Sequence, residues 1–256
     1  MNIIRLPLEG TKNTRDIGGY IGDNNRIFRW KKVLRSDCMS GLTLWDKEFL
    51  IDKYNLKRVI DLRSKYEIEA AKNCFEMDNK VKYINIPLAD DLNPTKSSFF
   101  ANINESFLTD LYIDIIENKK SGLKKVIEEI IALGENESVV FHCTAGKDRT
   151  GIITMLLLGI CGVSKQDIAT NYIQTATNLK YSERFAEGNE KIVKEFDEKV
   201  AKKIEKFILG SEAEFIEYAY DKLIEKYGTF KEYYLNIGID LSDIEKLIVD
   251  LTCDFE

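Results

Sequence analysis

The stretch Ser138-Val-Val-Phe-His-Cys-Thr-Ala-Gly-Lys-Asp-Arg-Thr-Gly151 decides both the fold and the site of this chain. Residues 138–142 form its most β-branched segment, which predicts a buried strand. Residues 152–160 are almost wholly apolar and predict a buried helix. A short loop therefore joins a strand to a helix N-terminus, where converging backbone N–H groups and the helix dipole favour an anion. We expect a phosphate-binding loop at residues 142–150.

Strands and helices alternate on the N-terminal side of this loop. Short apolar runs predict strands over residues 32–36, 58–62, 81–86 and 138–142. Apolar residues at helical spacing predict helices over 43–54, 103–117 and 119–133, and Ser64-Lys-Tyr-Glu67 is a capping box that starts another helix. The alternation predicts an α/β fold in which helices flank a twisted central sheet and Cys143 follows a central strand.

The sequence changes character after residue 163. Everything from Ser164 onward has helical patterns, so we expect a core over residues 1–163 and an additional C-terminal helical region over 164–256 in the same domain. The apolar residues of 189–209 lie on one stripe, opposite a face of Lys and Glu, which is typical of packing against a core. A mobile cover over a site is the alternative for this stripe.

The composition is that of a globular protein. The chain has 256 residues, of which 44% are hydrophobic and 31% charged, enough for one large domain. Its net charge of −6 argues against a general nucleic-acid-binding surface but is compatible with a local basic site for a small anion. No apolar run is long enough for a membrane-spanning helix and the N-terminus lacks a signal-peptide core, so we expect no membrane span and a cytoplasmic location.

The cysteine and histidine counts restrict the chemistry further. Five cysteines at irregular spacing, with no CxxC pair, indicate a reducing compartment and not a disulfide framework. The single histidine, His142, excludes any metal site that needs two imidazoles. We therefore expect neither a metal ion nor another cofactor.

The loop carries residues suited to phosphoryl transfer. Arg149 can offer a planar fork to two phosphoryl oxygens, and the positive field of the loop favours a thiolate at Cys143, ready for in-line attack on phosphorus. Gly146 permits a backbone conformation that a Cβ would penalise. Thr150 can donate its hydroxyl to the thiolate. The expected phosphate-binding residues are Thr144, Ala145, Gly146, Lys147, Asp148 and Thr150.

The same loop resembles a known signature. His142-Cys-Thr-Ala-Gly-Lys-Asp-Arg-Thr-Gly151 resembles the HCx5R[ST] motif of the protein tyrosine phosphatase superfamily, and its AGKDRTG form is similar to the bacterial atypical tyrosine/serine phosphatases that also accept phosphoinositides. Further segments resemble markers of that family over nearly the whole chain: Asn13–Tyr20, Arg35–Asp37, Asp61–Ser64 with Glu67, Tyr227–Phe230 and Tyr234–Gly238. Thr14 stands where the family usually has an aromatic residue, a departure that concerns packing.

The resemblance implies a cysteine-dependent phosphatase with a cysteinyl-phosphate intermediate. Its expected substrates are phosphotyrosine proteins, with phosphoserine, phosphothreonine and phosphoinositides as extensions. By the same resemblance, part of Lys180–Tyr227 forms a helical lid over Cys143, and the alternative is that these helices pack wholly against the core. Two rivals remain open, a non-catalytic phosphate-binding module on the same fold and a cysteine redox or sulfur-transfer site. The oligomeric state is left open.

A phosphatase needs a general acid to protonate the leaving oxygen. No histidine is spare, and the family places its acid after a strand of the type 81–86, so Asp90 is the preferred candidate. Asp91 is the alternative, and Asp90 could instead be a solvated loop residue. Asp61 is a weaker candidate because it ends an interior strand, where it would bind backbone or an arginine.

Several residues are expected to support the loop. Arg63 either orients the loop through a carboxylate or lies on the surface, and His142 and Asp61 complete this supporting set. Lys147 either meets an extra phosphate of a polyanionic substrate or is simply solvated. Asp148 is expected to position Arg149 or a water molecule, and Arg15 and Asp16 are expected to form a structural pair beneath the loop.

Overall fold

The computed structural model describes residues 5–89, 106–180 and 212–254. The predicted acid Asp90, its alternative Asp91 and residues 181–211 of the expected lid lie outside these described residues.

Seven strands lie in the described part: β1 (Arg15–Asp16), β2 (Ile27–Phe28), β3 (Val33–Ser36), β4 (Leu56–Asp61), β5 (Lys82–Asn85), β6 (Ser138–His142) and β7 (Thr252–Cys253). Five of them form the main sheet in the order β1-β3-β6-β4-β5. β1 is antiparallel to β3, and the other neighbours are parallel. The α/β prediction is confirmed, with β6 as the central strand.

The described helices are α1 (Leu44–Tyr54), α2 (Lys65–Ala70), α3 (Phe107–Asn118), α4 (Lys120–Ile131), α5 (Asp148–Ile160), α6 (Lys165–Lys180), α7 (Ala213–Tyr227), α8 (Phe230–Asn236) and α9 (Leu241–Leu251). Capping boxes at Thr43 and Ser64 start α1 and α2, and the box at Ser64 is the one that the sequence predicts. The sheet is buried on both faces. Alternation along β6 places Val140 in a small cluster with α1, whereas Val139 and Phe141 join the large cluster formed with α3 to α9.

The register brings three strand ends to one edge of the sheet. His142 on β6 lies opposite Ser36 on β3 and Asp61 on β4. Because parallel strands end at the same edge, the residues that follow them, including Cys143, meet there. This edge is where the loop lies.

One expectation about the C-terminal region is corrected. The chain is not helical throughout after Ser164, because β7 pairs with β2 and the Thr252 carbonyl accepts hydrogen bonds from the side chains of Arg26 and Arg29. The segment Ala213–Tyr227 is α7, which packs into the core through three buried side chains, Ile216, Ala219 and Leu223, and the lid stays a prediction. None of the helices that the structure describes is long and apolar enough to cross a membrane.

Candidate active site

The loop between β6 and α5 makes a tight turn around Gly146. Its φ of +67° lies in the left-handed region, and a Cβ at this position would collide with the carbonyl oxygen of Ser36. Cys143 follows β6 directly and is only 2% exposed. α5 begins five residues later at Asp148.

The loop carbonyls are held on the outer side of this turn. The Thr144 carbonyl accepts from the backbone N–H of Cys38 at 2.9 Å. The Asn13 side-chain amide donates to the carbonyls of residues 145 and 146 at 2.9 and 3.2 Å. The Arg35 guanidinium donates to the carbonyl of Gly146 at 2.7 Å and, more weakly, to the next carbonyl at 3.4 Å.

This anchoring determines where the amides point. A trans peptide directs its N–H opposite to its C=O, so each carbonyl held outside turns the following N–H toward the concave side. In the described part of the chain, no acceptor is bound by the N–H groups of Thr144, Ala145, Gly146, Asp148 and Arg149. The loop is therefore a preorganised set of donors next to the positive end of α5, which is the arrangement that binds an anion.

Arg149 is held by the carboxylate of Glu67, for which the sequence predicts only a helix-capping role. Its two terminal nitrogens donate to the two oxygens of Glu67, at 2.6 and 2.7 Å, and the Thr144 hydroxyl donates to the same carboxylate. Burial would raise the pKa of Glu67, but the hydrogen bonds and charge of Arg149 lower it to about 2. Of the five N–H groups of Arg149, two bind Glu67, two more make long contacts of 3.5 Å with the Leu62 carbonyl and the Thr144 hydroxyl, and the Nε–H has no partner in the described part.

Glu67 thereby joins the loop to the start of α2. One of its oxygens also accepts from the backbone N–H of Ser64 at 2.9 Å, the second half of the capping box. Because one carboxylate caps the helix and fixes Arg149, the guanidinium cannot shift without disturbing α2.

Behind the loop, Asp61 and Arg63 form a buried ion pair. Arg63 donates through Nε and Nη2 to both oxygens of Asp61, and its side chain is 1% exposed, so the surface alternative for Arg63 is wrong. Burial opposes ionisation of Asp61, but the hydrogen bonds and charge of the Arg63 guanidinium hold its pKa well below the usual range. Asp61 is therefore a carboxylate with its acceptors occupied, not a proton donor.

His142 connects this pair to Cys143. The backbone N–H of Phe75 donates to the Asn73 side-chain oxygen, which turns the Asn73 amide nitrogen toward Nε2 of His142 at 2.8 Å. Nε2 must then accept, so Nδ1 carries the proton and donates to the carbonyl of Cys143 at 3.0 Å. The histidine fixes the backbone of Cys143.

The remaining loop side chains are buried. Lys147 is 1% exposed, which rules out the solvated alternative, and its Nζ lies 3.6 Å from Oδ1 of Asp148. The same oxygen accepts from the Tyr112 hydroxyl at 2.5 Å, and that hydroxyl bonds to the hydroxyl of Tyr172 at 2.6 Å. The Thr150 hydroxyl is buried with no hydrogen-bond partner in the described part.

The expected pair between Arg15 and Asp16 does not form. Successive residues of a strand point to opposite faces, so the two side chains diverge. Asp16 accepts from the backbone N–H groups of Gly18 and Lys31. Arg15 instead donates to the Asn171 carbonyl at 2.8 Å and to neighbouring polar groups beneath the loop.

The positions of the predicted site residues can now be compared. The structure brings Cys143, Arg149 and the loop residues together, with Asp61, Arg63 and His142 directly behind them. The supporting contacts of Asn13, Arg35, Glu67 and Asn171 were not predicted. The first three lie in segments that resemble family markers, whereas Asn171 lies in a helix with no local signal of function.

Comparisons with known proteins identify the family of this chain. The family described as "Tyrosine phosphatase family" matches residues 6–252. A "Tyrosine-protein phosphatase" of Nostoc commune is 33% identical over 151 residues, which cover 57% of this chain and 49% of that protein. The chain therefore spans about half the length of that relative. The "Triple specificity protein phosphatase PtpB" of Mycobacterium tuberculosis is 24% identical, over 94% of this chain and 96% of its own length.

Among solved structures, this chain is similar to that of TpbA of P. aeruginosa in complex with pTyr. The match has 13% identity and a TM-score of 0.28, and it covers 76% of this chain and 89% of TpbA. Because the family match extends over nearly all of the described chain, one conclusion follows. This chain belongs to the tyrosine phosphatase family.

Proposed function

We propose that this protein is a cysteine-dependent phosphatase that hydrolyses phosphate monoesters through a cysteinyl-phosphate intermediate. The observation that carries the proposal is the outward anchoring of the carbonyls of residues 144–147, which leaves the loop amides for the equatorial oxygens of a phosphoryl group. Cys143, at the start of the loop, is the nucleophile. Arg149, fixed by Glu67, holds the phosphoryl group with its remaining N–H groups.

The reaction has two displacements. In the first, the Cys143 thiolate forms an S–P bond while the P–O bond of the ester breaks, and Asp90 gives a proton to the leaving oxygen. In the second, a water molecule attacks phosphorus, the S–P bond breaks, and the Asp90 carboxylate takes the proton from water. Thr150 donates to the departing thiolate, a role that its unpartnered buried hydroxyl supports.

The acid belongs in the segment after β5. The pKa values of Asp61 and Glu67 are both lowered, so neither carboxyl holds a proton at neutral pH. One oxygen of Asp148 already accepts a hydrogen bond from the Tyr112 hydroxyl. Asp90 is therefore the preferred donor and Asp91 the alternative.

The substrate class follows from the relatives. Phosphotyrosine in proteins is the first candidate, and the relative named as a triple specificity protein phosphatase supports more than one kind of phosphate ester. Phosphoserine, phosphothreonine and phosphoinositides are the further candidates. Lys147, within the loop, is the candidate for contact with an additional phosphate of a polyanionic substrate. The five cysteines form no disulfide, which is consistent with a cytoplasmic enzyme that needs a reduced thiol.

The direct test is the pair of variants Cys143→Ser and Arg149→Lys with a chromogenic phosphate ester. Cys143→Ser should abolish turnover but still bind vanadate or phosphate, because the loop amides remain. Arg149→Lys should also be severely impaired, since the ammonium group of lysine cannot form the two parallel hydrogen bonds that a planar guanidinium forms. Near-native turnover by Cys143→Ser would refute the mechanism. A native protein that binds the ester without hydrolysing it would instead indicate a phosphate-binding module.

A further inference from the structure

Two arginines beneath the loop are completely buried, Arg15 on β1 and Arg35 on β3. Every acceptor that they bind in the described part is neutral: a main-chain carbonyl, an asparagine side chain or a threonine hydroxyl. A buried cation without a counter-charge is costly by several kcal/mol. Two such cations side by side are expected only where an anion offsets their charge.

The other buried cations at the loop have their counter-charges inside the protein. Arg149 is paired with Glu67 at 2.6 Å and Arg63 with Asp61 at 2.7 Å. Lys147 lies 3.6 Å from a carboxylate oxygen of the loop. Their fields are therefore largely cancelled before a substrate arrives. Within the described ranges, Arg15 and Arg35 are the buried cations at the loop without an ion-pair partner.

Arg35 is the one that touches the loop. One terminal nitrogen donates to the Gly146 carbonyl at 2.7 Å, and the other donates to Oδ1 of Asn171 at 2.7 Å. Burial lowers the pKa of Arg35 to about 10, and a thiolate at Cys143 acts in the opposite direction. Because such coupling is reciprocal, a charge that a thiolate stabilises also stabilises the thiolate.

The charged and titratable groups that face the two arginines come from several elements. They are Tyr20 after β1, Asp37 after β3, Tyr112 of α3, Cys143 of the loop and Tyr172 of α6. The tyrosines are neutral at physiological pH. Asp37 binds the backbone N–H groups of residues 12 and 13 and makes no ion pair with either arginine. The charge of Asp37 acts on Arg15, whereas Cys143 is the anionic group that acts on Arg35, so Cys143 is the anion that Arg35 is placed to balance.

We propose that Arg35, supported by Arg15, is an electrostatic and positioning residue that supplies the uncompensated positive charge holding Cys143 as a thiolate and favouring a bound phosphoryl group. The inference rests on the proposed function, since it takes Cys143 as the nucleophile. Arg149 then chiefly orients the phosphoryl group, while Arg35 acts from behind the loop through its charge and through the Gly146 carbonyl.

The sharpest variant is Asn171→Asp. It is nearly isosteric, keeps the oxygen that accepts from Arg35, and lets the Tyr20 hydroxyl turn its proton toward the new carboxylate. The variant therefore strengthens the hydrogen bond between Arg35 and residue 171, but its carboxylate offsets the positive charge of Arg35. If Arg35 only positions the loop, this variant should behave as the native protein does. If Arg35 acts by its charge, the thiolate becomes less stable.

The measurement is the rate of iodoacetamide alkylation of Cys143 against pH, followed by mass spectrometry of the peptide that carries it. For Asn171→Asp we expect the midpoint of this pH dependence to rise by about one pH unit, or about tenfold in thiolate fraction below the midpoint. Arg35→Gln, which keeps an amide donor for Gly146, should shift the midpoint in the same direction. Thermal unfolding of each variant verifies that it is folded.

Arg58→Gln is the matched control. Arg58 on β4 also donates to two main-chain carbonyls, those of Glu129 and Ala132, but it is paired with Glu129 away from the loop. Its variant should leave the midpoint unchanged. A folded Asn171→Asp protein with the native midpoint overturns the proposal, even if Cys143→Ser is inactive. Conversely, an active Cys143→Ser protein refutes the phosphatase mechanism whatever the alkylation profile shows.

Discussion

The two ends of α5 are both buried, yet they are held by opposite kinds of contact. At the N-terminal end, Arg149 and its neighbours are surrounded by charged and hydrogen-bonding groups, each with a particular geometry. At the C-terminal end, Gly159 lies against the ring of Phe230, and the adjoining Leu158 and Ile160 belong to the apolar core. Burial alone therefore does not mark the site; the chemistry of the buried partners does.

The difference has a general consequence. Directional polar contacts are sensitive to small displacements, so changes at the loop end should reduce turnover more than stability. Apolar packing is less directional, so changes at the other end should reduce stability and leave turnover per folded molecule intact. The predictions below test this contrast in decreasing order of expected effect.

The largest effect on turnover is expected when the general acid, which protonates the leaving oxygen, is removed. Asp90→Asn should lower kcat by roughly 10²–10⁴-fold, the usual range for general acid–base catalysis. The loss should shrink for esters whose leaving groups are acidic enough to depart without a proton. Steady-state kinetics with two such esters measure this. If Asp91→Asn gives this pattern and Asp90→Asn does not, the acid is Asp91.

The Glu67 carboxylate should stabilise the loop end in a pH-dependent way. Its pKa is about 2 in the folded protein, below the 4.5 of an unperturbed glutamate. Above about pH 4.5, the ion pair with Arg149 thus stabilises the folded protein by on the order of 3 kcal/mol. This stabilisation is lost as the pH falls through 2.

Urea unfolding of Glu67→Gln and the native protein at several pH values tests this. Between pH 5 and 7, the unfolding free energy of the native protein should exceed that of Glu67→Gln by about 3 kcal/mol at every pH. This difference should decrease toward pH 3. A difference that widens on acidification would mean that the Glu67 carboxylate does not stabilise the fold as an anion.

Gly146→Ala tests the backbone of the loop end. The added Cβ would collide with the Ser36 carbonyl, and the alanine would have to adopt the left-handed φ of Gly146. The loop amides are therefore displaced. We expect kcat/KM to fall by about 10²-fold, the effect of a misplacement near 1 Å. Native kinetics in this variant would show that the turn at Gly146 is not needed for function.

Gly159→Ala tests the opposite end of the helix. Its Cβ would collide with the ring of Phe230, so the side chain must move within a well-packed core. We expect unfolding to become easier by about 1–3 kcal/mol, with kcat unchanged below the transition. A fall in kcat without a change in stability would break the contrast between the two ends of α5.

The same contrast explains what could be predicted from sequence. The strand, loop and helix around Cys143 are contiguous, so local patterns predict them, and the alternation of strands and helices predicts the sheet. The contacts of Arg35 with Asn171 join residues 136 positions apart, and no local pattern encodes them. Glu67 carries a local signal, but as a helix cap, which conceals its contact with Arg149. β7 was missed because two residues are too few for a periodic pattern.

The central claim is that Cys143 carries the phosphoryl group during turnover. The direct measurement is rapid quenching of the enzyme with a phosphate ester, followed by digestion and mass spectrometry of the peptides. The mechanism predicts one phosphoryl group on the peptide that contains Cys143, formed as fast as the product burst and absent from Cys143→Ser. A phosphoryl group on any other residue, or product release by Cys143→Ser at the native rate, would contradict it.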